Sequence, residues 1–196
     1  MAPKKGVIAG MDEAGRGSWA GPVVAAAVII RPGQKFTGLT DSKLLSARER
    51  EELYAKIVAK CDYGLGVVEH DMIDEWGLLH ATFLAFKMAL DSLPIRPDKV
   101  LIDGRDRFKF DVPHESIIRG DIKIKSISAA SVLAKVTRDR IMIEYALLFP
   151  EYGFDEHKGY GTTRHLYALK SRGPCDIHRL SYRPIQNIKC EQTTFL

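Results

Sequence analysis

The sequence predicts an α/β protein in which a mixed central sheet is flanked by helices and followed by a small helical C-terminal part. Two apolar runs, at residues 7–11 and 22–30, have the composition of strands, and helical and strand patterns alternate after them. Turn residues at 31–34 favour an antiparallel pairing of the first two strands. The 196 residues, of which 45% are hydrophobic, fit one domain with a sizeable core.

The first half of the chain carries recognisable helix boundaries. Ser46 and Glu49 have the spacing of a capping box, which predicts a helix from there to residue 60. A third strand is expected at residues 63–68. Two helices are expected at residues 71–76 and 78–93, because Gly77 interrupts an otherwise helical pattern. Pro94 and Pro97 end the second helix.

The second half begins with a predicted strand at residues 99–104 and a less regular one at 116–119. A long helix is expected at 126–149, and the small residues in its first turns allow close packing on the sheet or close approach of a ligand. A glycine-rich loop at 153–163 precedes a helix that ends at Gly173 and Pro174. Residues beyond Pro184 are expected to form a short tail. We expect one domain over residues 1–196, with residues 150–184 as a C-terminal loop and helix segment that contributes to substrate binding.

Composition excludes several classes of protein. The net charge of +4 permits a polyanionic partner. The three cysteines are widely spaced and form no CxxC pair, which argues against a zinc site or a disulfide framework and favours a reducing compartment. The longest apolar run is far shorter than a membrane span, and no signal-peptide pattern is visible. We therefore expect a cytoplasmic protein that does not enter membranes. We also expect a monomer.

Three of the predicted strands end in acidic residues. Asp12 and Glu13 stand at the end of the first strand, Asp103 lies near the end of the strand at 99–104, and Asp121 follows the strand at 116–119. Strand ends of α/β sheets gather functional groups, and neighbouring carboxylates repel one another unless cations neutralise them. Hard divalent ions such as Mg²⁺ or Mn²⁺ prefer oxygen ligands, and two such ions can act on one phosphodiester. The four acids are therefore candidate metal ligands.

A glycine-containing loop, Gly15-Arg16-Gly17, follows the first pair of acids. Glycines allow the backbone to approach a ligand closely. A dinucleotide-binding loop is rejected, because that fingerprint needs a helix to begin at the loop, whereas Pro22 here leads into a second strand. A zinc hydrolase is disfavoured since the sequence contains no HExxH pattern.

The motifs of this chain, taken in order, resemble those of bacterial ribonuclease HII over nearly the whole length. They are Asp12-Glu13-Ala14-Gly15-Arg16-Gly17, Asp41-Ser42-Lys43, Ile102-Asp103-Gly104, Gly120-Asp121, the run from Ser128 to Asp139, His157-Lys158-Gly159-Tyr160-Gly161-Thr162, and His178-Arg179-Leu180-Ser181-Tyr182. The resemblance implies an RNase H-like fold. It also implies cleavage of RNA in RNA–DNA hybrids and cutting on the 5′ side of single ribonucleotides in duplex DNA.

The resemblance also implies roles for individual residues. The metal-binding and catalytic carboxylates would be Asp12, Glu13, Asp103 and Asp121, holding two Mg²⁺ or Mn²⁺ ions. The substrate-binding residues would be Gly15, Arg16 and Gly17 at the ribose 2′-hydroxyl, Tyr160 at the RNA–DNA junction, and Lys43 and Lys158 at phosphates. Some family members carry a longer C-terminal extension than this chain does.

Three alternatives remain open. Asp139 is interpreted as an ordinary ion-pair residue on a helix surface, with Arg138 or Arg140 as its partner. A module that binds hybrids without cutting them would share the basic charge and glycine loop, but carboxylates beside phosphates would weaken its binding. A DNA-specific nuclease would share the acids but would have no use for a loop that detects a 2′-hydroxyl.

Overall fold

A five-stranded mixed sheet forms the centre of the molecule. The computed structural model describes residues 6–39, 42, 45–106 and 108–193, with the backbone alone for 189–193. The strands are β1 (Ile8–Ala14), β2 (Val23–Ile29), β3 (Asp62–Val68), β4 (Lys99–Asp103) and β5 (His114–Ile117), and they lie in the order β3-β2-β1-β4-β5. β2 is antiparallel to β1 and β3, whereas β1, β4 and β5 are parallel. The predicted mixed sheet is confirmed.

Helices cover both faces of this sheet. They are α1 (Ala47–Lys60), α2 (His70–Trp76), α3 (Leu78–Asp91), α4 (Gly120–Lys123), α5 (Lys125–Leu148), α6 (Phe154–His157), α7 (Thr163–Arg172) and α8 (Arg183–Thr193). The predicted capping box of α1 is present, with the hydroxyl of Ser46 accepting the Glu49 amide and the Glu49 carboxylate accepting the Ser46 amide. In the part of the chain that is described, no helix is both long and apolar enough to cross a membrane.

The long helix α5 packs directly on the central strands β1 and β2. A Cβ at Gly10 of β1 would overlap the backbone at Ile127 of α5, so the close approach requires glycine there. Ala129 and Ala130 are fully buried at the same contact. The small residues at the start of α5 therefore have the packing role that was expected, and they fix α5 beside the strand that carries Asp12.

Two predicted strand ends are wrong in detail. β1 continues to Ala14, so Asp12 and Glu13 lie inside the strand, because β2 continues to pair with both of them through Ala26 and Ala25. Asp121 does not end a strand either. The chain turns at Arg119, which has a left-handed backbone conformation (φ 56°), and Asp121 lies in the short helix α4.

The C-terminal part contains more helix than expected. The predicted loop at 153–163 includes α6, and the predicted tail after Pro184 is replaced by α8. Proline is tolerated at the start of a helix, where its missing N–H has no partner to lose. Ile185 and Ile188, three positions apart, bury one face of α8 in a cluster with Met142 and Leu169.

Candidate active site

The four predicted acids line one cleft of about 420 Å³. The parallel register of β1 and β4 pairs Met11 with Ile102, so the next residues on these strands are Asp12 and Asp103. α4 follows β5 and adds Asp121, whose amide and that of Gly120 donate to Oδ1 of Asp103 at 3.4 and 2.6 Å. Sequence reasoning therefore identified residues that the fold brings together.

Burial makes the charged form of Asp12 and Glu13 unfavourable. It raises the pKa of Asp12 well above its usual range, and repulsion from Glu13 and Asp103 raises it further. A hydrogen bond with Ser131 and the amide of Glu13 act in the opposite direction. The pKa of Glu13 is also raised, chiefly by burial, although Arg16 partly offsets this. The cleft thus concentrates negative charge that a cation would stabilise.

Arg16 occupies a position between two carboxylates at this cleft. Its Nη1 lies 2.6 Å from Oδ2 of Asp106 and 3.3 Å from Oε1 of Glu13. Asp106 was not among the predicted site residues, since it lies in an irregular segment with no periodic pattern. The guanidinium therefore neutralises part of the charge in this arrangement.

The residues present fit a hard divalent cation by their chemistry. The acidic side chains that line the cleft offer only oxygen donors, which Mg²⁺ and Mn²⁺ prefer. Within the described ranges, however, no three His, Cys, Asp or Glu side chains already converge on one point. Glu13 is held by Arg16, and Asp103 accepts the Gly120 amide. Convergence on a metal would therefore require rotation of side chains.

The two glycines of the Gly15-Arg16-Gly17 loop differ in whether the fold leaves space for a larger residue. Gly15 has a φ of 95°, and a Cβ there would overlap the side chain of Arg138. Gly17 is exposed, and a Cβ there would meet no atom within 4 Å. Gly15 is therefore needed for packing, whereas Gly17 leaves open space at the edge of the cleft.

Tyr160 also lines the cleft and is half-buried. Its ring centroid lies 5.6 Å from Nζ of Lys135 and 5.3 Å from the guanidinium carbon of Arg138. Both distances are within the range of cation–π contacts. The next residue must be glycine, because a Cβ at Gly161 would overlap the ring of Trp19. The orientation of Tyr160 is therefore constrained by charged and aromatic neighbours.

The two predicted lysines are placed differently. Lys158 lies outside the residues that line the cleft, and its ammonium group donates to the backbone oxygen of Asp155. Its own carbonyl accepts a hydrogen bond from Arg138. Lys43 lies outside the described residues.

Sequence reasoning gave no site role to three polar residues that line the cleft: Ser42, Ser131 and Lys135. The hydroxyls of Ser42 and Ser131 are 2.9 Å apart. Lys135 forms an ion pair of 2.8 Å with Asp139, so the expected pairing of Asp139 with Arg138 or Arg140 is wrong. The available signal was the spacing of 131, 135 and 139, because residues four apart share one face of a helix.

Comparisons with known proteins agree on one family. The family model described as Ribonuclease HII matches residues 9–185. The chain is 49% identical to Ribonuclease HII of Burkholderia thailandensis and 50% identical to that of Burkholderia lata, in each case covering 92% of this chain and 85% of the relative.

Solved structures show the same fold. The ribonuclease H2 of Pyrococcus horikoshii OT3 superposes with a TM-score of 0.78 at 29% identity, covering 94% of this chain and 97% of that one. The RNase HII of Archaeoglobus fulgidus, solved in a complex with PCNA, gives 0.77 at 25% identity, covering 90% and 95%. The matched span, the sequence identity and the cleft lead to one conclusion: this chain belongs to the ribonuclease HII family.

Proposed function

We propose that this chain hydrolyses the RNA strand of RNA–DNA hybrids and cuts duplex DNA on the 5′ side of a single embedded ribonucleotide. The observation that carries the proposal is one cleft in which four acids meet an exposed glycine, Gly17, and the ring of Tyr160. Membership of the ribonuclease HII family supports the same activity. As a member of that family, the chain is a ribonuclease H.

The four acids are the residues that would hold divalent cations. We assign Asp12, Glu13, Asp103 and Asp121 to two Mg²⁺ or Mn²⁺ ions. When bound, these ions supply activation of a water nucleophile and neutralisation of the charge that develops on the phosphate. Ser131 contributes by holding the carboxylate of Asp12 through a hydrogen bond.

The remaining cleft residues would bind and orient the substrate. The backbone of Gly15, Arg16 and Gly17 is suited to hydrogen-bond the ribose 2′-hydroxyl, the group that distinguishes RNA from DNA at one site. Tyr160 offers a ring face against the adjoining deoxyribose. We assign Lys43 and Lys158 to contacts with phosphates of the substrate.

We further propose that the enzyme acts as a cytoplasmic monomer. Cys61 and Cys175 are free thiols, as a reducing compartment would require. Burial raises the pKa of Cys61 to about 11 and that of Cys175 to about 12, so both thiols stay protonated and unreactive near neutral pH.

The proposal is tested by comparing cleavage with binding on an RNA–DNA hybrid and an all-DNA duplex. We expect wild-type protein with Mg²⁺ to cut the hybrid and spare the DNA, and Asp103→Asn to bind the hybrid without cutting it. Binding by wild type without any cutting would support the binding module instead. Cutting of both duplexes at similar rates would support a DNA nuclease.

A further inference from the structure

Arg138 is a fully buried arginine with an unusual set of partners. Its side chain is 0% exposed, and burial lowers its pKa to about 10. Its nitrogens donate to the carbonyls of Pro22, Ala20 and Lys158 at 2.9, 3.0 and 2.9 Å and to the hydroxyl of Ser18 at 2.7 Å. Among the described ion pairs, none joins Arg138 to a carboxylate. The buried charge is therefore stabilised by oxygen dipoles and by the nearby ring of Tyr160, without a directly paired carboxylate among these contacts.

These hydrogen bonds join two separate segments that lie next to residues of the cleft. Ser18, Ala20 and Pro22 follow directly after the Gly15-Arg16-Gly17 loop, and Ser18 in turn donates to the carbonyl of Gly15 at 2.8 Å. The carbonyl of Lys158 belongs to the turn that presents Tyr160. A Cβ at Gly15 would collide with Arg138, so the loop is shaped around this guanidinium.

We propose that Arg138 is a positioning residue that sets the separation between the Gly15-Arg16-Gly17 loop and the ring of Tyr160. This separation decides whether one ribose and the next deoxyribose fit the cleft together. Arg138 thereby controls the preference for a single ribonucleotide over a continuous hybrid. The inference rests on the proposed function and assigns a determinant of its specificity.

A guanidinium suits this connection better than a lysine ammonium does, and it adds to the backbone hydrogen bond from the Trp19 amide to the Gly159 carbonyl. The planar fork of the guanidinium presents five donors in fixed directions, whereas a lysine ammonium is a compact charge with three donors. A buried cation without an anionic partner costs stability. Because burial of Arg138 costs stability, we attribute to it a role in positioning. This one side chain holds four oxygen atoms from two segments in a single arrangement.

Arg179 provides a matched control. It is also 0% exposed, and its nitrogens donate to the carbonyls of Gly21 and Arg16 and to the hydroxyl of Tyr182. In the described contacts it forms no hydrogen bond with residues 157–161. It therefore supports the glycine loop without connecting that loop to Tyr160.

The test measures kcat/KM on a duplex with one ribonucleotide and on a continuous hybrid, using full-length Arg138→Lys and Arg179→Lys. The ratio of the two values is independent of the fraction of folded enzyme, because that fraction enters both equally. We expect Arg138→Lys to lower the ratio about tenfold or more, since small displacements of positioning groups cost up to about 10²-fold. Arg179→Lys should lower both values in proportion. A wild-type enzyme that cuts neither duplex would overturn the proposed function itself.

Ser18→Ala removes one acceptor of Arg138 and keeps the test decisive if Arg138→Lys does not fold. We expect a smaller fall of the same ratio in Ser18→Ala. In a Tyr160→Ala background, Arg138→Lys should cause no further fall, because its effect acts through that ring. The inference is overturned if Arg138→Lys leaves the ratio unchanged. If Arg138→Lys is insoluble, an unchanged ratio in Ser18→Ala overturns it. The inference is also overturned if Arg138→Lys and Arg179→Lys lower the kcat/KM ratio equally. It is overturned as well if Arg138→Lys lowers the ratio as much in the Tyr160→Ala background as it does in the wild type.

Discussion

Asp12 is a proposed metal-binding carboxylate whose burial costs the folded state stability. It is 6% exposed, and burial together with Glu13 and Asp103 raises its pKa. A raised pKa means that the folded state disfavours the charged carboxylate, so the wild type loses stability as the pH rises through the folded-state pKa. An active site commonly carries such a cost because function requires it.

Asp12→Asn should therefore separate activity from folding. We expect kcat to fall by about 10²–10³-fold, a typical loss for one electrostatic element of a site. In urea unfolding at pH 7 with chelator, we expect the free energy of unfolding to rise, since the amide can still accept the amide hydrogen of Glu13. The exposed Asp111→Asn is the control and should change neither quantity. A destabilised Asp12→Asn that kept its activity per folded molecule would make the acid structural.

Gly15 and Gly17 should respond differently to the same substitution. Gly15→Ala places a Cβ into Arg138 at a positive φ, so we expect a large fall in melting temperature. Gly17→Ala meets open space, so the melting temperature should change little, while kcat/KM falls on ribonucleotide substrates because the Cβ occupies the ligand's space. Full activity in Gly17→Ala would show that the open space is not used.

The acids and the glycine loop were predictable because short motifs identify them. Lys135 was missed because its role follows from where α5 faces, and the sequence alone does not orient a helix relative to a sheet. Asp106 was missed for a different reason. Its contact with Arg16 joins residues 90 positions apart, and nothing local marks it.

At the scale of elements, a cluster of buried histidines supports the turn that carries Tyr160. Nδ1 of His165 lies 3.0 Å from the carbonyl of Tyr160, and its Nε2 lies 3.0 Å from Nε2 of His178. If Nδ1 of His165 donates to that carbonyl, Nε2 must accept from His178, which requires His165 to be neutral. Burial lowers the pKa of His165 to about 3 and that of His178 to about 4.

These histidines should make stability depend on pH. Their unfolded-state pKa is about 6.5, so their stabilising contribution is complete above that value and is lost as the pH falls toward 4. Each can contribute a slope of up to about 1.4 kcal/mol per pH unit in that window. We expect His165→Gln to reduce the slope measured by urea unfolding between pH 8 and 5, and the exposed His80→Gln to leave it unchanged. Equal slopes in wild type and His165→Gln would contradict the neutral pair.

Element boundaries were predictable where a cap or a glycine marks them, as at Ser46 and Gly77. The end of β1 was not, because its last residues are held by pairing with β2, which is a tertiary contact. The four-residue helix α6 is too short to show periodicity. α8 has few apolar residues, and its buried face becomes evident only when the cluster around Met142 is formed.

For the whole molecule, the sheet order could not be derived from local patterns, which do not specify which strands pair. The parallel contact between β1 and β4 brings residues about 90 positions apart together, and Asp12 and Asp103 meet only because of it. The resemblance to ribonuclease HII implied only the RNase H-like fold and that the four acids belong to one site.

The whole enzyme should depend on divalent metal. We expect activity with Mg²⁺ or Mn²⁺ and none in excess chelator, because the buried carboxylates need cations to act together on a phosphate. Ca²⁺ is larger and more flexibly coordinated, so it should bind without supporting efficient cleavage. The measurement is the initial rate on a hybrid across the three metals at one ionic strength. Undiminished cutting in excess EDTA would exclude metal-dependent hydrolysis.

The central claim is that the four acids act on a phosphate selected by the neighbouring 2′-hydroxyl. It is tested most directly by mapping, at nucleotide resolution, the products from a duplex with one ribonucleotide and from its all-DNA counterpart. We predict a single cut on the 5′ side of the ribonucleotide and a preference over all-DNA of roughly 10⁴–10⁵-fold, because a site built for a hydroxyl rejects the analogue that lacks it. Comparable cutting of the all-DNA duplex, or cuts unrelated to the position of the ribonucleotide, would contradict the claim.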